Sequence, residues 1–269
     1  SEQAIRSMTA YKGGLYAGQG VNAPEGDLHM CILEDDDDVC QQNEWVISYN
    51  STLTRVLSLS VYKGHLYAGL GINGGNGDVY VCEPGADGYC NTTDWSQSYD
   101  GPTSAIGAMT TFNGILYAGE GHTAVLNGNI TYCDPGADGI CDTEDWNQSF
   151  TSGASAVRAL TVFKGHLYAG LGQTIVGQGN ITVCDPKEDG ICNPGDWNLS
   201  FSNGNESITS LAVFNGRLYA TQGGISNGES DLIYCEPGED EICDTGDWTV
   251  LESAHLWSHL FTLTSYNGK

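Results

Sequence analysis

One pattern recurs five times along this chain of 269 residues. Each copy contains Leu-Tyr-Ala, an apolar run that ends in Cys, a tight acidic loop that leads to a second Cys, and an acidic residue followed by Trp. The tryptophans lie 50, 51, 51 and 51 residues apart, at Trp45, Trp95, Trp146, Trp197 and Trp248. The Leu-Tyr pairs keep the same rhythm, starting at Leu15, Leu66, Leu116, Leu167 and Leu218. A constant period that keeps turns, cysteines and aromatic residues in phase indicates tandem copies of one supersecondary unit.

The fourth copy illustrates what each unit is expected to form. Its segments are apolar or rich in β-branched residues, and turn residues separate them. Four strands are predicted, at Ala156–Phe163, His166–Gly170, Asn180–Cys184 and Trp197–Phe201. Lys-Gly joins the first two strands where two other copies carry Asn-Gly, the strongest short hairpin signal. Four antiparallel strands, repeated with one Trp each, are typical of a propeller blade.

The chain is therefore predicted to be all-β, a five-bladed β-propeller of four-stranded repeats about 51 residues long, with one disulfide inside each blade. A single propeller domain is expected to span residues 1–269. The repeats are expected near residues 1–53, 54–104, 105–155, 156–206 and 207–255. The recurring Tyr and Trp side chains are interpreted as packing between blades.

Ten cysteines indicate the compartment, because they form one close pair in each repeat. The pairs are Cys31/Cys40, Cys82/Cys90, Cys133/Cys141, Cys184/Cys192 and Cys235/Cys243. Zinc sites need four ligands and usually place their cysteines two to four residues apart, so this wider spacing without a matched His disfavours zinc. Five disulfides are expected instead, and they are typical of an extracellular or cell-surface protein.

The charge of the chain limits its partners. Asp and Glu number 34 against 9 Lys and Arg, a formal net charge of −25. Such a surface repels nucleic acid and anionic membranes. Membrane insertion is not expected either, because no stretch approaches the roughly 18–20 apolar residues of a spanning helix. Divalent cations, a salty medium or a basic partner suit this charge, and simple solubility at high salt explains it equally well.

Seven Asn-x-Ser/Thr sequences predict a glycoprotein. They are Asn50, Asn91, Asn129, Asn147, Asn180, Asn198 and Asn205. Four of them recur at two equivalent repeat positions, which favours a glycosylated surface over chance. The start at Ser1, without Met or an apolar leader, matches a chain from which a signal peptide has been cleaved, as it does an engineered chain.

The Leu-Tyr-Ala-Gly hairpin, followed by an Asp-containing turn that leads to Trp, resembles the repeat of sialidase-like and related secreted β-propellers. In those families the Asp box, Ser-x-Asp-x-Gly-x-Thr-Trp, joins the third and fourth strands. Here the corresponding turn is Asp138-Gly139 with Trp146, and a cysteine loop stands in place of the box. The resemblance implies the fold over the whole chain. The resemblance stops short of any catalytic motif, so it does not imply sialidase activity. Those enzymes hold the substrate carboxylate with three arginines and use a Tyr/Glu nucleophile pair. This chain has only four arginines in all, and one of them, Arg217, lies in a hairpin turn.

The cysteine loop of repeat three has spacing similar to that of a calcium-binding loop. Counted from Asp134, oxygen-bearing side chains stand at positions 1, 5, 9 and 12, with Gly139 at position 6. An EF-hand loop uses positions 1, 3, 5, 7, 9 and 12, with Gly at 6. Position 3 is Gly136, which offers no side-chain ligand, and Asp at position 12 resembles the shorter loops of dockerins and thrombospondin repeats. A solvated, disulfide-closed turn also favours Asp-Gly, so both interpretations stay open.

Calcium is thus the one cofactor predicted, with candidate ligands in four repeats. They are Glu83, Asp87 and Asp94; Asp134, Asp138, Asp142 and Asp145; Asp185, Asp189 and Asp196; and Glu236, Asp240, Asp244 and Asp247. Repeat five departs from the pattern with Glu241 at the Gly position. Repeat one departs further, with the run Asp35–Asp38 in a loop one residue longer.

The segment Leu256–Lys269 follows the five full repeats and has the pattern of a sixth first strand with its hairpin turn. The first repeat already has its own copy of this strand, Ala4–Tyr11, so one strand is surplus. It can pair at an open edge of the same molecule, begin a further blade, or insert into a neighbouring subunit. The last option is favoured, because an unpaired apolar strand is a template for another chain.

The leading functional hypothesis is a non-catalytic extracellular structural or adhesive protein. It would assemble head to tail with copies of itself, as a filament or surface array, by exchanging the surplus strand. No Ser/His/Asp arrangement or phosphate-binding loop can be identified, so the chain is not expected to be an enzyme. The alternative is a multivalent lectin that binds glycans, because the repeated loops are rich in Asn, Asp, Tyr and Trp.

Overall fold

The structure is a computed structural model of the chain. It describes residues 4–20, 26–33, 39–51, 55–71, 77–102, 105–121, 128–153, 156–172, 179–202, 207–223, 230–254 and 262–264. Within these ranges twenty strands form five four-stranded antiparallel sheets, one for each repeat, with the strands paired in chain order. The predicted all-β class and the number of strands in each repeat are confirmed.

The strands are numbered in chain order. Sheet 1 contains β1 (Ile5–Tyr11), β2 (Gly14–Gln19), β3 (Leu28–Cys31) and β4 (Trp45–Tyr49), and a 3-10 helix, Gln42–Glu44, precedes β4. Sheet 2 contains β5 (Arg55–Tyr62), β6 (His65–Gly71), β7 (Gly77–Cys82) and β8 (Trp95–Gly101). Sheet 3 contains β9 (Ile106–Phe112), β10 (Ile115–Glu120), β11 (Asn129–Cys133) and β12 (Trp146–Thr151). Sheet 4 contains β13 (Val157–Phe163), β14 (His166–Leu171), β15 (Asn180–Cys184) and β16 (Trp197–Ser202). Sheet 5 contains β17 (Ser207–Phe214), β18 (Arg217–Gly223), β19 (Ser230–Cys235) and β20 (Trp248–Ala254).

The hairpin between the first two strands of each sheet is formed as the sequence predicts. In sheet 4 the turn residues Lys164 and Gly165 have φ angles of 47° and 81°. Positive φ at both central residues is characteristic of the type I′ turn, whose twist matches that of the flanking strands. The residues before the glycine share this conformation in every sheet, at Lys12, Lys63, Asn113, Lys164 and Asn215.

The chain divides into two compact units. Unit 1 comprises Ser1–Met109 and Cys133–Trp146, and unit 2 comprises Thr110–Tyr132 and Asn147–Lys269. Unit 1 thus contains sheets 1 and 2 with the cysteine loop of repeat three, and unit 2 contains sheets 4 and 5 with most of sheet 3.

Each unit has an apolar core between its successive sheets. In unit 1, Tyr16 and Leu28 of sheet 1 pack in one cluster with Val56 and Leu66 of sheet 2. In unit 2, one cluster joins sheet 3 to sheet 4 and a second joins sheet 4 to sheet 5. The core is therefore built between sheets, and each sheet depends on its neighbour for burial, as in other repeat architectures.

The five predicted disulfides are present, one in each sheet, and no cysteine is free. They join Cys31 to Cys40, Cys82 to Cys90, Cys133 to Cys141, Cys184 to Cys192 and Cys235 to Cys243. Each one joins the end of a third strand to the loop that leads into the fourth strand. Five disulfides fit an oxidising environment. In the described part of the chain, no helix has both the length and the apolarity needed to cross a membrane.

Cys40 departs from the pattern of the other four loop cysteines. Its disulfide to Cys31 spans nine residues, whereas the other four span eight. Cys40 is only partly buried, but its counterparts Cys90, Cys141, Cys192 and Cys243 are fully buried. The prediction of one disulfide in each repeat is confirmed, and the first loop differs from the other four in length and in the burial of its cysteine.

Candidate functional site: the cysteine loops and the faces between sheets

The glycine of Leu-Tyr-Ala-Gly lies against the first strand of the next sheet. In unit 2, a Cβ added to Gly170 would lie 2.5 Å from Ile208 Cγ2. In unit 1, a Cβ added to Gly18 would lie 2.7 Å from Val56 Cγ1. The same relation holds for Gly69 with Ile106 and for Gly119 with Val157. Carbon atoms do not approach this closely without displacement, so glycine at this position sets the spacing between successive sheets.

A second contact attaches each of sheets 1 to 4 to the cysteine loop of the following repeat. In unit 2, Cys192 N donates a hydrogen bond to Tyr117 Oη at 3.0 Å, and Ser149 Oγ donates one to Cys192 O at 2.5 Å. Trp197 Nε1 donates to the same Ser149 Oγ at 3.1 Å. We call this set of Tyr, Ser, Cys and Trp the clasp. It satisfies both backbone polar groups of a fully buried half-cystine, which would otherwise be costly to bury.

The clasp occurs four times. Its half-cystines and their partners are Cys90 with Tyr16 and Ser48, Cys141 with Tyr67 and Ser98, Cys192 with Tyr117 and Ser149, and Cys243 with Tyr168 and Ser200. The Tyr and Trp interpretation, packing between blades, is thereby confirmed. The role of the serine was not predicted, although the sequence contains a signal for it. The four serines are spaced 50, 51 and 51 residues apart, and each lies three residues after a Trp.

Cys40 is the loop cysteine outside the four clasps that the described residues form. The Tyr and Ser of each clasp come from the sheet before the cysteine loop. Sheet 1 is the first sheet that the structure describes, so no earlier sheet of unit 1 covers Cys40. This agrees with its partial exposure and with the longer loop of repeat one. The Cys31–Cys40 disulfide therefore closes its own loop without joining two sheets of unit 1.

The carboxylates of the cysteine loops are used first by the loops themselves. In loop three, Asp138 Oδ1 accepts a hydrogen bond from Ile140 N at 3.1 Å, and Asp145 Oδ2 accepts one from Asp142 N at 2.8 Å. Loops two, four and five repeat both bonds at the same positions. Glu241, at the glycine position of loop five, adopts the same left-handed conformation as its glycine counterparts, with φ of 61°. Asp at positions 5 and 12 therefore has a structural role as a turn cap.

In loops two and four, neighbouring side chains bond some of the predicted calcium ligands. At position 9 of loop two, Asn91 Nδ2 donates to Asp87 Oδ2 at 2.7 Å, and this bond is the main cause of a lowered pKa of Asp87. In loop four, Lys187 Nζ lies 2.9 Å from the buried Asp196 Oδ1 and lowers the pKa of Asp196. The Asn91 amide thus donates a hydrogen bond to Asp87, and the Lys187 ammonium pairs with Asp196. Both carboxylates are predicted calcium ligands.

Loops three and five differ, since Asp142 and Asp244 stand at position 9. Nevertheless, among the described residues no three His, Cys, Asp or Glu side chains are gathered as metal ligands. Calcium binding stays a prediction. The acidic run of repeat one, 35–38, lies outside the described residues.

The predicted glycosylation sites fall into two groups. Asn50, Asn147 and Asn198 are exposed, whereas Asn91, Asn129 and Asn180 are partly buried. In the Asn147 and Asn198 sequences the third residue is a clasp serine, so the repeat of the motif has a structural cause besides glycosylation. Asn205 lies outside the described residues, and glycan attachment stays a prediction throughout.

The fifth sheet departs from the repeat pattern on the face that sheets 1 to 4 present to the next repeat. Thr221 replaces the glycine, Leu251 replaces the clasp serine, and Glu252 replaces the aromatic residue that follows it. The four clasp serines are fully buried, but Leu251 is 50% exposed. Tyr219, the counterpart of four fully buried tyrosines, is only partly buried.

A cavity of about 460 Å³ opens on this face of sheet 5. Its lining includes Arg217, Tyr219, Tyr234 and Leu251. Arg217 packs over the Tyr234 ring at 5.3 Å and pairs with Glu236 at 2.9 Å. The equivalent tyrosines of the other four sheets are fully buried, so sheet 5 presents a face that is built differently.

The surplus segment lies largely outside the described residues. The described part, 262–264, is not in a strand. Leu263 N donates a hydrogen bond to Ser210 Oγ on β17 at 3.0 Å. The segment therefore reaches the first strand of sheet 5.

Burial raises the pKa of the clasp tyrosines. The pKa of Tyr67, Tyr117 and Tyr168 is raised to about 12, despite the opposing effect of the hydrogen bond from the half-cystine. Neutral phenol is thus the form that the folded protein stabilises. Because the unfolded value is near 10, this stabilisation is complete below pH 10 and is lost as the pH rises toward 12.

We therefore expect the free energy of unfolding to fall steeply between pH 10 and 12, by about 3 kcal/mol for each of Tyr67, Tyr117 and Tyr168, since two pKa units correspond to about 2.7 kcal/mol. Denaturant unfolding at closely spaced pH values, with tyrosinate absorbance followed in parallel, measures both quantities. The Tyr117→Phe variant should show a shallower decline, as it has one such group fewer. Titration of every tyrosine near pH 10, with stability unchanged up to pH 12, contradicts the prediction.

No protein-family model matches the chain, and no curated protein sequence matches it. Solved structures do resemble it. A chain in the crystal structure of a nidogen/laminin complex aligns with a TM-score of 0.55 and 13% identity, over 94% of this chain and 82% of that one. The β-propeller domain of Myceliophteria thermophila Cps50 (Swd1) aligns with a TM-score of 0.51 and 10% identity, over 92% and 72%. A candidate 6-phosphogluconolactonase from Bacteroides uniformis aligns with a TM-score of 0.51 and 12% identity, over 93% and 86%.

At these identities the likeness concerns the fold alone. Together with the five four-stranded sheets, it shows that the chain has the β-propeller fold, with one disulfide in each sheet. The similar structures include proteins described as an enzyme and as non-enzymes, so the fold does not decide whether this chain catalyses a reaction. The resemblance to sialidase-like repeats in particular stays a prediction.

Proposed function

We propose that this chain is a non-catalytic, extracellular structural or adhesive β-propeller protein that assembles with copies of itself by exchanging its terminal segment. The observation that carries the proposal is the end of the clasp pattern at sheet 5. There an exposed Leu251 stands where the other sheets have a fully buried clasp serine, and a cavity opens beside it. A face of this kind, followed in the chain by one surplus strand, is suited to contacts between subunits.

The extracellular setting is supported by the five disulfides and by the sequences for N-glycosylation. The absence of catalysis is supported by the use of the recurring polar side chains. The buried Tyr, Ser and Trp that repeat in register bond one sheet to the next, and the loop carboxylates cap turns. In this interpretation the repeat serves as a rigid scaffold.

The proposal predicts that the terminal segment controls assembly. The unaltered chain should form filaments, rings or arrays, and the chain without 256–269 should remain monomeric. In the full-length chain, Leu263→Asp should shift the protein toward the monomer at least tenfold, because a partly buried apolar side chain becomes a charge. Light scattering during size-exclusion chromatography, together with negative-stain electron microscopy, measures this.

The matched control is Leu33→Asp, the same change at a described leucine that is 38% exposed in unit 1. It should assemble like the unaltered chain. Thermal unfolding of all variants confirms that each is folded. Unchanged assembly after removal of 256–269 contradicts the proposal.

The second candidate function, a lectin, is favoured by one observation. A cavity of about 350 Å³ in unit 2 is lined by the rings of Phe150 and Trp197 and by the amides of Asn180 and Asn198. Aromatic rings beside amide groups suit sugars, which combine apolar faces with hydroxyl groups. On this account the monomer should bind immobilised glycans, and Leu199→Asp in the cavity wall should abolish the signal. No binding on a broad glycan array excludes it.

A further inference from the structure

We infer that the Cys31–Cys40 disulfide is a thiol-exchange site, at which a small thiol attacks Cys40 Sγ in the folded protein while the other four disulfides stay closed. It is a modification site, because the first product is a mixed disulfide between Cys40 and the attacking thiol. The disulfide closes the first cysteine loop, beside the end of β3. The exchange needs no second copy of the chain.

Cys40 differs from every other half-cystine in exposure. The nine others are fully buried, and Cys40 is only partly buried. Its neighbours in the chain, Val39 and Gln41, are exposed as well, Val39 to 58%. In loops two and five the residue before the loop cysteine, Tyr89 or Ile242, packs instead against a core cluster. A thiol in solution therefore reaches the first loop at the point where these other loops are covered.

The two halves of this disulfide are held differently. Cys31 is the last residue of β3, and it is paired with Leu15 of β2 and with Trp45 of β4. Cys40 lies outside the strands, and none of the four clasps that the described residues form includes it. In each clasp the loop cysteine is hydrogen-bonded to the preceding sheet through both its N–H and its C=O. Opening the first disulfide therefore leaves all four clasps in place.

Exchange at this site is a balanced substitution at sulfur. The attacking thiolate forms a bond to Cys40 Sγ, and the bond between the two Sγ atoms breaks with its electron pair on Cys31 Sγ. The Cys31 thiolate then takes a proton from solvent. Attack falls on Cys40 because the nucleophile has to reach the sulfur that it attacks, and Cys31 is fully buried. A second thiol that attacks the mixed disulfide releases Cys40 as a free thiol.

The charge of the chain determines which class of thiol reacts fastest. The net charge is −25, and the sequence has four Asp, 35–38, between two and five residues before Cys40. Chain length alone keeps these carboxylates within roughly 18 Å of Cys40. They therefore repel an anionic thiolate, since charges are screened only over about 10 Å at 0.1 M salt. The thiol that fits the site carries an amino group rather than a carboxylate or sulfonate.

The test treats the unaltered, folded protein with cysteamine, an amino thiol, at slightly alkaline pH and low salt. Samples are quenched with acid, free thiols are alkylated with N-ethylmaleimide, and peptides are mapped by mass spectrometry. The Cys31–Cys40 pair should open faster than every other pair by about tenfold or more, and the mixed disulfide should lie on Cys40. Circular dichroism at each time point should show intact sheets while this pair opens.

Several results would overturn the inference. They are no opening in the folded protein, equal opening of all five disulfides, opening of another pair first, a mixed disulfide on Cys31, and opening only as the sheets unfold. Mercaptoethanesulfonate, compared at equal thiolate concentration, should react about tenfold more slowly than cysteamine, and high salt should reduce the difference. Equal rates for the two thiols at low salt overturn the assigned class of thiol.

Two single substitutions provide a matched comparison. Cys31→Ser leaves Cys40 as a free thiol, and Cys184→Ser leaves Cys192 as a free thiol inside a clasp. Iodoacetamide, which is uncharged, should alkylate Cys40 faster than Cys192 by about tenfold or more in the folded variants. Equal rates overturn the inference. The measurement on the unaltered protein decides the question even where a variant does not fold.

Discussion

Replacing Gly170 with Thr lowers the free energy of unfolding by about 3 kcal/mol or more, because overpacking of a tight interface costs about 1–3 kcal/mol and this site is tighter than most. A Cβ at this position already lies 2.5 Å from Ile208 Cγ2, and Thr adds two further atoms. Sheets 4 and 5 must therefore separate or shift. Urea unfolding, with the m-value examined for loss of two-state behaviour, measures the effect.

The control substitution is Gly195→Thr. Gly195 has no atom within 4 Å of its added Cβ, and repeat two carries Thr93 at the same loop position. Each change thus introduces a Thr that another repeat already has at the same position. Repeat two has Thr93 in place of Gly195, and repeat five has Thr221 in place of Gly170. The control should change stability by about 0.5 kcal/mol or less, as surface substitutions usually do. Equal effects of the two changes would falsify the role of the glycine as a spacer.

Replacing Tyr117 with Phe has the second largest expected effect, a loss of about 2 kcal/mol. The ring is fully buried and stays in place, but Cys192 N loses its acceptor. A buried donor left without a partner costs about 1–3 kcal/mol. Amide hydrogen exchange should report the same change locally, as faster exchange at Cys192 than in the unaltered protein.

Tyr219→Phe is the matched control, because Tyr219 occupies the same strand position in sheet 5, is only partly buried, and interacts with the Arg217 side chain. A change of about 0.5 kcal/mol or less is expected at this partly buried position. If both Tyr→Phe variants lose the same stability, the hydroxyl of Tyr117 contributes nothing through the clasp.

The sequence predicts the fold well for a physical reason. Strand and turn signals are local, and five copies of each allow them to be read in phase. The predicted strands of repeat four begin or end within one residue of the observed ones, as with Ala156–Phe163 against Val157–Phe163. Disulfide pairing was equally accessible, since a separation of eight or nine residues leaves one close partner for each cysteine.

The contacts between sheets could not be predicted in the same way. They join residues 42 to 75 positions apart, and no local propensity specifies which Ser contacts which half-cystine. For this reason the different burial of Cys40 was not predicted, although its pairing with Cys31 was. Whether a half-cystine is covered depends on the sheet of another repeat.

The acidic loop shows the same limit. Its spacing predicts calcium, which stays untested, and in the structure Asp138 and Asp145 also cap the turn that presents Cys141 to Ser98. A residue recurs from repeat to repeat for packing as readily as for binding. Periodicity alone therefore does not separate the two roles.

The departures from the repeat were visible in the sequence, yet their meaning required the structure. Thr221 and Leu251 are ordinary strand residues when taken alone. They become informative once the equivalent Gly170 and Ser200 are seen to contact the next sheet. In a repeat protein the copy that breaks the pattern marks the face whose partner differs, as capping repeats do.

Electron microscopy of native, unconcentrated protein tests the central claim most directly. We expect filaments, rings or arrays in which one propeller contacts the next through sheet 5 and the terminal segment. Isolated particles of 28.6 kDa, the mass of one chain, at all concentrations would contradict it and would make the lectin the better proposal.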